Sequence, residues 1–259
     1  MRILVTNDDG ISAPGLEIAE AIAHEIGDDV WTIAPAFEQS GVGHCISYTS
    51  PVRLERIGPR RFAGAGTPAD CVLLGIHELM KDNPPDLILS GVNAGNNAAQ
   101  NAVYSGTLGA AMEGALQHVP AIALSQFYGP ENRELENRFE PAAKFGVETV
   151  RKILDANQWG GERYHLFYNV NFPPVPASGV KGTMIAPQGY RQNVAFSAEH
   201  YVSPNRREFV WLAGGPQHKP TEEGSDAWAN LNGYISVTPC RADLTAHDML
   251  DPLKEAFGQ

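Results

Sequence analysis

Short apolar runs that stop abruptly at polar or glycine residues recur through the first 174 positions: Ile3-Leu4-Val5, Val30-Trp31-Thr32-Ile33, Leu87-Ile88-Leu89, Ala121-Ile122-Ala123-Leu124 and Leu166 to Val170. Runs this short, β-branched in part and without alternation, read as strands buried on both faces, the pattern of a parallel sheet. Between them the apolar period lengthens to that of a helix, with Ala19, Ile22, Ala23 and Ile26 after Pro14, and Val72, Leu73, Ile76, Leu79 and Met80 after Thr67-Pro68-Ala69-Asp70. Leu108, Ala111, Met112 and Ala115 form a third such stripe, and Ala143, Val147, Val150 and Ile153 a fourth. Strands alternating with helices predict an α/β fold with right-handed crossovers. Ser12 is expected to cap the first helix with Pro14 in its first turn, and Thr67 with Asp70 to form a capping box.

Two stretches break the rhythm. From His44 to Gly66, short segments (Cys45 to Tyr48, Val52 to Arg56, Arg61 to Ala63) separated by Ser50-Pro51 and Gly58-Pro59 predict inserted antiparallel strands. Beyond Pro174 helical periodicity fades into strand-like pieces at Thr183-Met184-Ile185, Phe209 to Leu212 and Tyr234 to Val237, with a short helix expected from Leu244 to Phe257. The expected organisation is one α/β domain over 1–259. Residues 1–174 would be a Rossmann-like, mostly parallel sheet flanked by helices, and 175–259 would supply β-rich hairpin or arm extensions and a C-terminal helix used in oligomerisation.

Composition narrows the partners. Thirty Asp and Glu against 19 Lys and Arg give a net charge of -11, which argues against holding a nucleic acid polymer on a broad basic surface. Cys45, Cys71 and Cys240 lack paired metal-ligand spacing, so reduced thiols and no zinc are expected. No apolar run approaches the ~20 residues of a membrane span and the chain opens straight into a strand, so no membrane partner and a cytoplasmic location are expected.

The chemistry gathers where the first three buried strands end. Asp8-Asp9-Gly10 follows the first, the loop with Ser40 the second, and Asn93, in Val92-Asn93-Ala94-Gly95-Asn96-Asn97, the third. In a parallel sheet these loops share one edge, where ligands bind. Two carboxylates, a hydroxyl and an amide carbonyl are hard oxygen donors, suited to Mg²⁺ or Mn²⁺. Ser105-Gly106-Thr107 opens a helix whose exposed amides and dipole make an anion site. Together they supply what phosphomonoester hydrolysis needs. Taken singly, each piece also has a plainer role: Asp-Asp-Gly and the Asn/Gly loop as turns, Ser105 as a helix cap. The scattered histidines have no ligand spacing; His44, close after the Ser40 loop, is retained as an acid or base.

These residues resemble the SurE (survival protein E) family of metal-dependent nucleotidases. The resemblance runs through Met1 to Gly10, Ala13-Pro14-Gly15, Ser40-Gly41, Gly66 to Val72, Pro85 to Gly95, Asn97, Tyr104 to Thr107, Ala110 to Gly114, Asn169 to Pro173 and Asp243 to His247. It implies that Asp8, Asp9, Ser40 and Asn93 hold the metal, and that nucleoside 5′- and 3′-monophosphates are hydrolysed, with some members also cleaving short polyphosphate. It also implies a cytoplasmic homodimer or homotetramer. His44-Cys45 stands where small polar residues are more usual, and Asn96 precedes Asn97 where other residues occur. On this reading Asp8, Asp9 and Asn93 serve catalysis through the cation, while Asn97, Ser105, Gly106 and Thr107 contact the phosphate. Three other readings stay open at this stage. They are a receiver-like Mg²⁺-binding phosphoacceptor, a haloacid-dehalogenase-type phosphatase, whose Asp-x-Asp spacing is missing here, and a non-catalytic nucleotide-binding protein.

Overall fold

The computed structural model describes residues 1–161, 163–192 and 196–258. The chain runs β1 (Arg2–Thr6), α1 (Pro14–Ile26), β2 (Asp29–Pro35), β3 (Leu54–Gly58), β4 (Arg61–Gly64), α2 (Pro68–Leu74) and β5 (Leu87–Ala94). It continues with α3 (Asn101–Tyr104), α4 (Gly106–Leu116), β6 (Ala121–Gln126), α5 (Pro130–Arg133), α6 (Glu140–Ala156), β7 (Phe167–Phe172) and β8 (Gly182–Ile185). The last elements are β9 (Ser197–Val202), β10 (Glu208–Ala213), α7 (Asp226–Leu231), β11 (Tyr234–Cys240) and α8 (Leu250–Ala256).

Nine strands form one sheet in the order β3-β4-β2-β1-β5-β6-β7-β11-β8, and β9 and β10 form a separate hairpin. The central strands pair in parallel; β3 with β4 and β7 with β11 are antiparallel. Alternation of side chains along the strands divides the core. Ile3, Val5, Leu87 and Leu89 face α1 and α6, whereas Leu4 and Ile88 face α2 and α4. Each such side chain, fully buried, contributes about 1.5–3 kcal/mol, so the helices are held firmly on both faces of the strands that carry the site.

The structure revises several sequence expectations. The first helix is capped by Ala13 without any side-chain hydrogen bond, not by Ser12, because the Ala13 N–H closes a turn onto Gly10 O at 3.0 Å and carries the chain one residue further before it coils. The Thr67–Asp70 capping box forms as expected. Cys45 to Tyr48 is not a strand. Asp70 accepts from the Ser47 N–H at 2.9 Å and its hydroxyl at 2.7 Å, and Thr67 donates to Cys45 O at 2.6 Å, so side chains tie this segment to α2 as irregular chain. Past residue 174 the sheet continues, since β11 and β8 join it beyond β7; only the β9–β10 hairpin stands outside. The three cysteines are free thiols. Among the described residues no helix is long and apolar enough to cross a membrane.

Candidate functional site

The three loops expected to share an edge do so, because β2, β1 and β5 are neighbours in parallel at the middle of the sheet. At the end of β1 the buried Asn7 clamps a tight turn, donating from Nδ2 to Gly10 O at 2.9 Å and accepting the Gly10 N–H at 3.2 Å. Gly10 takes φ +101° there, a conformation L side chains resist, so the turn requires glycine. The turn presents Asp8 and Asp9 at the sheet edge. Backbone links then join the loops: the Gln39 N–H donates to Asp8 O at 2.7 Å, next to Ser40, and the Ala94 N–H donates to Asp9 Oδ2 at 2.9 Å, next to Asn93.

Charge at this edge is uncompensated. Asp8 is 4% exposed and its pKa is pushed up to about 6 by burial, with the Asp9 charge adding to the rise and the Thr107 hydroxyl opposing it. Burial also raises Asp9, helped by Glu38 and opposed by the Ala94 N–H. Among the described residues neither carboxylate forms an ion pair. Buried charges are ordinarily paired or bound to metal, so the site suits a cation. The small Gly106 keeps Asp8 Oδ2 accessible, since a Cβ there would lie 3.2 Å from that oxygen. Asn93 donates from Nδ2 to Gly95 O at 3.0 Å, which leaves its carbonyl oxygen available, and Ser40 donates to Glu38 at 2.8 Å, which leaves its lone pairs. Among the described residues no group of three or more His, Cys, Asp or Glu could hold a metal. A cation here would therefore rest on two carboxylates and two neutral oxygens, and that set fits Mg²⁺ or Mn²⁺.

The anion half of the site is α4. Ser105 caps it, accepting the Leu108 N–H at 3.1 Å, and the N–H groups of Gly106 and Thr107 lie in its first turn beside Asp8. Thr107 donates to Asp8 Oδ1 at 2.6 Å and so locks the helix terminus to the end of β1. Asn97 stands behind it, donating to Ser125 Oγ at 2.8 Å and approaching Thr107 Oγ1 at 3.5 Å. The second approach is at the outer limit of a hydrogen bond, which leaves one amide N–H for an anion.

Sequence reasoning gave no role to the buried amides behind Asn97. Asn171 Oδ1 accepts the Asn97 N–H at 2.7 Å, Asn169 donates to Asn97 O at 2.9 Å, and Asn171 donates to Asn169 at 3.0 Å. The signal was present: two asparagines at i and i+2 in the apolar run of β7 place both side chains on one face. His44 does not reach the anion half. Its Nε2 lies 2.6 Å from the buried Glu113, seven residues into α4 from Gly106, and their pairing holds Glu113 below its usual range against the desolvation that raises it. This pair pins the Ser40 loop along α4, as does Gly109, where a Cβ would lie 2.3 Å from Gly43 O. Gly109→Ala is therefore expected to displace the Ser40 loop and raise the metal concentration giving half-maximal activity by about tenfold, which a metal titration of turnover measures.

A cavity of about 670 Å³ opens against Asp9, with Gly10, Glu38 and Ala94 also in its lining beside Phe37, Tyr128 and Arg138.

Comparison with known proteins identifies what the chain is similar to. Residues 3–195 match the family described as Survival protein SurE. The chain is 62% identical over 257 residues to the 5′-nucleotidase SurE of Roseobacter denitrificans, covering 98% of both proteins. It is 61% identical to the 5′-nucleotidase SurE of Ruegeria pomeroyi, over 98% of this chain and 99% of that one. Among solved structures, the Sure protein from Aquifex aeolicus superposes with a TM-score of 0.80 at 36% identity, over 99% of this chain and 100% of that chain.

Proposed function

Because the chain belongs to the SurE family, we propose that it is a divalent-metal-dependent phosphomonoesterase that hydrolyses nucleoside 5′- and 3′-monophosphates, with short polyphosphate as a further substrate. Asp8, Asp9, Ser40 and Asn93 would hold one Mg²⁺ or Mn²⁺. The observation that carries this reading is the buried, unpaired Asp8 beside Asp9 at the mouth of α4. The names of the relatives supply the substrate class. The working form is a cytoplasmic homodimer or homotetramer, a reading supported by the exposed apolar side chains of Val210, Trp211 and Leu212 on the β9–β10 hairpin.

When bound, the cation supplies positive charge that offsets the phosphoryl oxygens and acidifies water for attack. The chain's own groups orient the ester. The N–H groups of Gly106 and Thr107 and the remaining N–H of Asn97 hold phosphoryl oxygens, where the helix dipole favours negative charge. The Ser105 hydroxyl, whose lone pair serves the Leu108 N–H, keeps its proton to donate to the same group. Thr107 holds Asp8 in its orientation, so the carboxylate stays an anchor and not a nucleophile. Water attacks phosphorus and loses one proton to solvent as its oxygen becomes part of the phosphate, the ester bond to the sugar oxygen breaks, and that oxygen takes up a proton from solvent.

Phosphate release from 5′- and 3′-nucleotides, polyphosphate and an aryl phosphate, each with Mg²⁺, Mn²⁺ or EDTA, tests the proposal. Turnover of nucleoside monophosphates that EDTA abolishes and either metal restores is expected. Equal turnover in excess EDTA would remove the cation from the mechanism.

A further inference from the structure

Another cavity, of about 270 Å³, shares no lining residue with the one at Asp9. Its wall is α3, the four-residue helix that spans the chain between Asn97 and Ser105, with Gln100, Asn101 and Tyr104 lining the space. Tyr104 immediately precedes the cap of α4, and consecutive Cα atoms are 3.8 Å apart, so the cavity begins within one residue of the phosphate groups. Opposite stand Tyr190, Arg191 and Phe196.

The wall is rigid and the opening aromatic. Arg191 is 1% exposed and donates to Ala98 O at 2.8 Å and Asn96 Oδ1 at 2.9 Å, and Gln100 exchanges two hydrogen bonds with the Arg191 backbone, at 2.8 and 2.9 Å. These links tie the cavity wall to the loop that carries Asn97. Tyr104 and Phe196 pack edge to face with ring centroids 5.3 Å apart, yet remain 48% and 57% exposed, each with ring surface open to a ligand. Tyr190 is likewise exposed. The volume falls just under the ~300 Å³ at which drug-sized sites begin, which suits a single planar ring system.

We infer that this cavity receives the nucleobase of the substrate, which stacks on the exposed face of one of the rings Tyr104 and Phe196 and meets the other edge-on, while the phosphate lies at the α4 N-terminus. The inference rests on the nucleotidase reading above. The amide side chains of Gln100 are spent on the Arg191 backbone and Asn101 donates to Gln217 at 2.5 Å, so ring stacking, not edge reading, carries the interaction. Aromatic stacking tolerates any base, because every base has a π face.

The test compares kcat/KM for a nucleoside monophosphate with that for ribose 5-phosphate, which has the sugar phosphate but no base, in the full-length metal-loaded wild type and in Tyr104→Ala and Phe196→Ala. Each variant is expected to lower the nucleotide-to-ribose-phosphate ratio of kcat/KM by about tenfold or more, mainly through KM. Tyr104→Phe and Phe196→Tyr, which keep a ring, are expected to restore the ratio. An unchanged ratio in both alanine variants, with melting temperatures within about 2 °C of wild type, would overturn the inference. Failure of wild type to hydrolyse the nucleotide at all would instead overturn the nucleotidase reading, so the two failures are distinguishable.

Discussion

Asp8→Asn is expected to cut phosphate release drastically and at the same time to make the metal-free protein more stable. The loss follows from removing one of the two carboxylates proposed to hold the cation. Metal charge stabilisation is worth several kcal/mol, and each ~1.4 kcal/mol is tenfold, so kcat/KM should fall by about 10³ or more. The gain follows from Asp8 itself, pushed up to about 6 by burial from 3.8. A carboxyl whose folded value is raised binds its proton more tightly in the native state. The stability this lends is full below the unfolded value and is lost as pH rises through the folded one. At neutral pH the charged group therefore costs the metal-free protein about 3 kcal/mol. Asparagine keeps an oxygen to accept from Thr107 and carries no charge, so its melting temperature in EDTA should exceed that of wild type by several degrees at pH 7.5, with the gap closing towards pH 4. Saturating Mn²⁺ should reverse the order, because only wild type gains stability by binding it. Thermal melts in EDTA and in Mn²⁺, across pH, check all three signs.

Gly15→Ala is expected to be strongly destabilising. A Cβ at Gly15 would lie 1.9 Å from the Val92 carbonyl oxygen and 2.9 Å from the Phe139 ring. The carbonyl belongs to β5 and cannot rotate away as a side chain would, so α1 must lift from the sheet. Overpacking of this kind costs about 3 kcal/mol, which for a chain this long lowers the melting temperature by about 10 °C. Because Val92 precedes Asn93, the metal requirement should rise as well. Gly161→Ala, with nothing within 4 Å of its Cβ, should leave both quantities unchanged and serves as the control.

The apolar runs made the central strands legible because a strand buried on both faces needs nothing from distant sequence to declare itself. That placed Asp8, Asp9, Ser40 and Asn93 on one edge before any coordinates. What escaped were features set by long-range partners. β5 runs through Ser90-Gly91 to Ala94 because Gly91, at φ +137°, lets the backbone pass where a Cβ would meet Leu124 O at 2.2 Å. Cys45 to Tyr48 alternates like a strand yet is captured by Asp70 and Thr67. β8 and β11 were read as extensions because antiparallel return to the sheet across a long connection leaves no periodic trace. The amides of Asn169 and Asn171 acquire their roles only when β7 is laid beside the Asn97 loop.

Electron paramagnetic resonance of Mn²⁺ titrated into metal-stripped protein observes, without turnover, the one cation that the oxygens at the end of β1 are proposed to hold. One bound Mn²⁺ per chain in wild type, lost in Asp8→Asn and Asp9→Asn and strongly weakened in Asn93→Ala, is the expected result. Unchanged Mn²⁺ binding in both aspartate variants would contradict it.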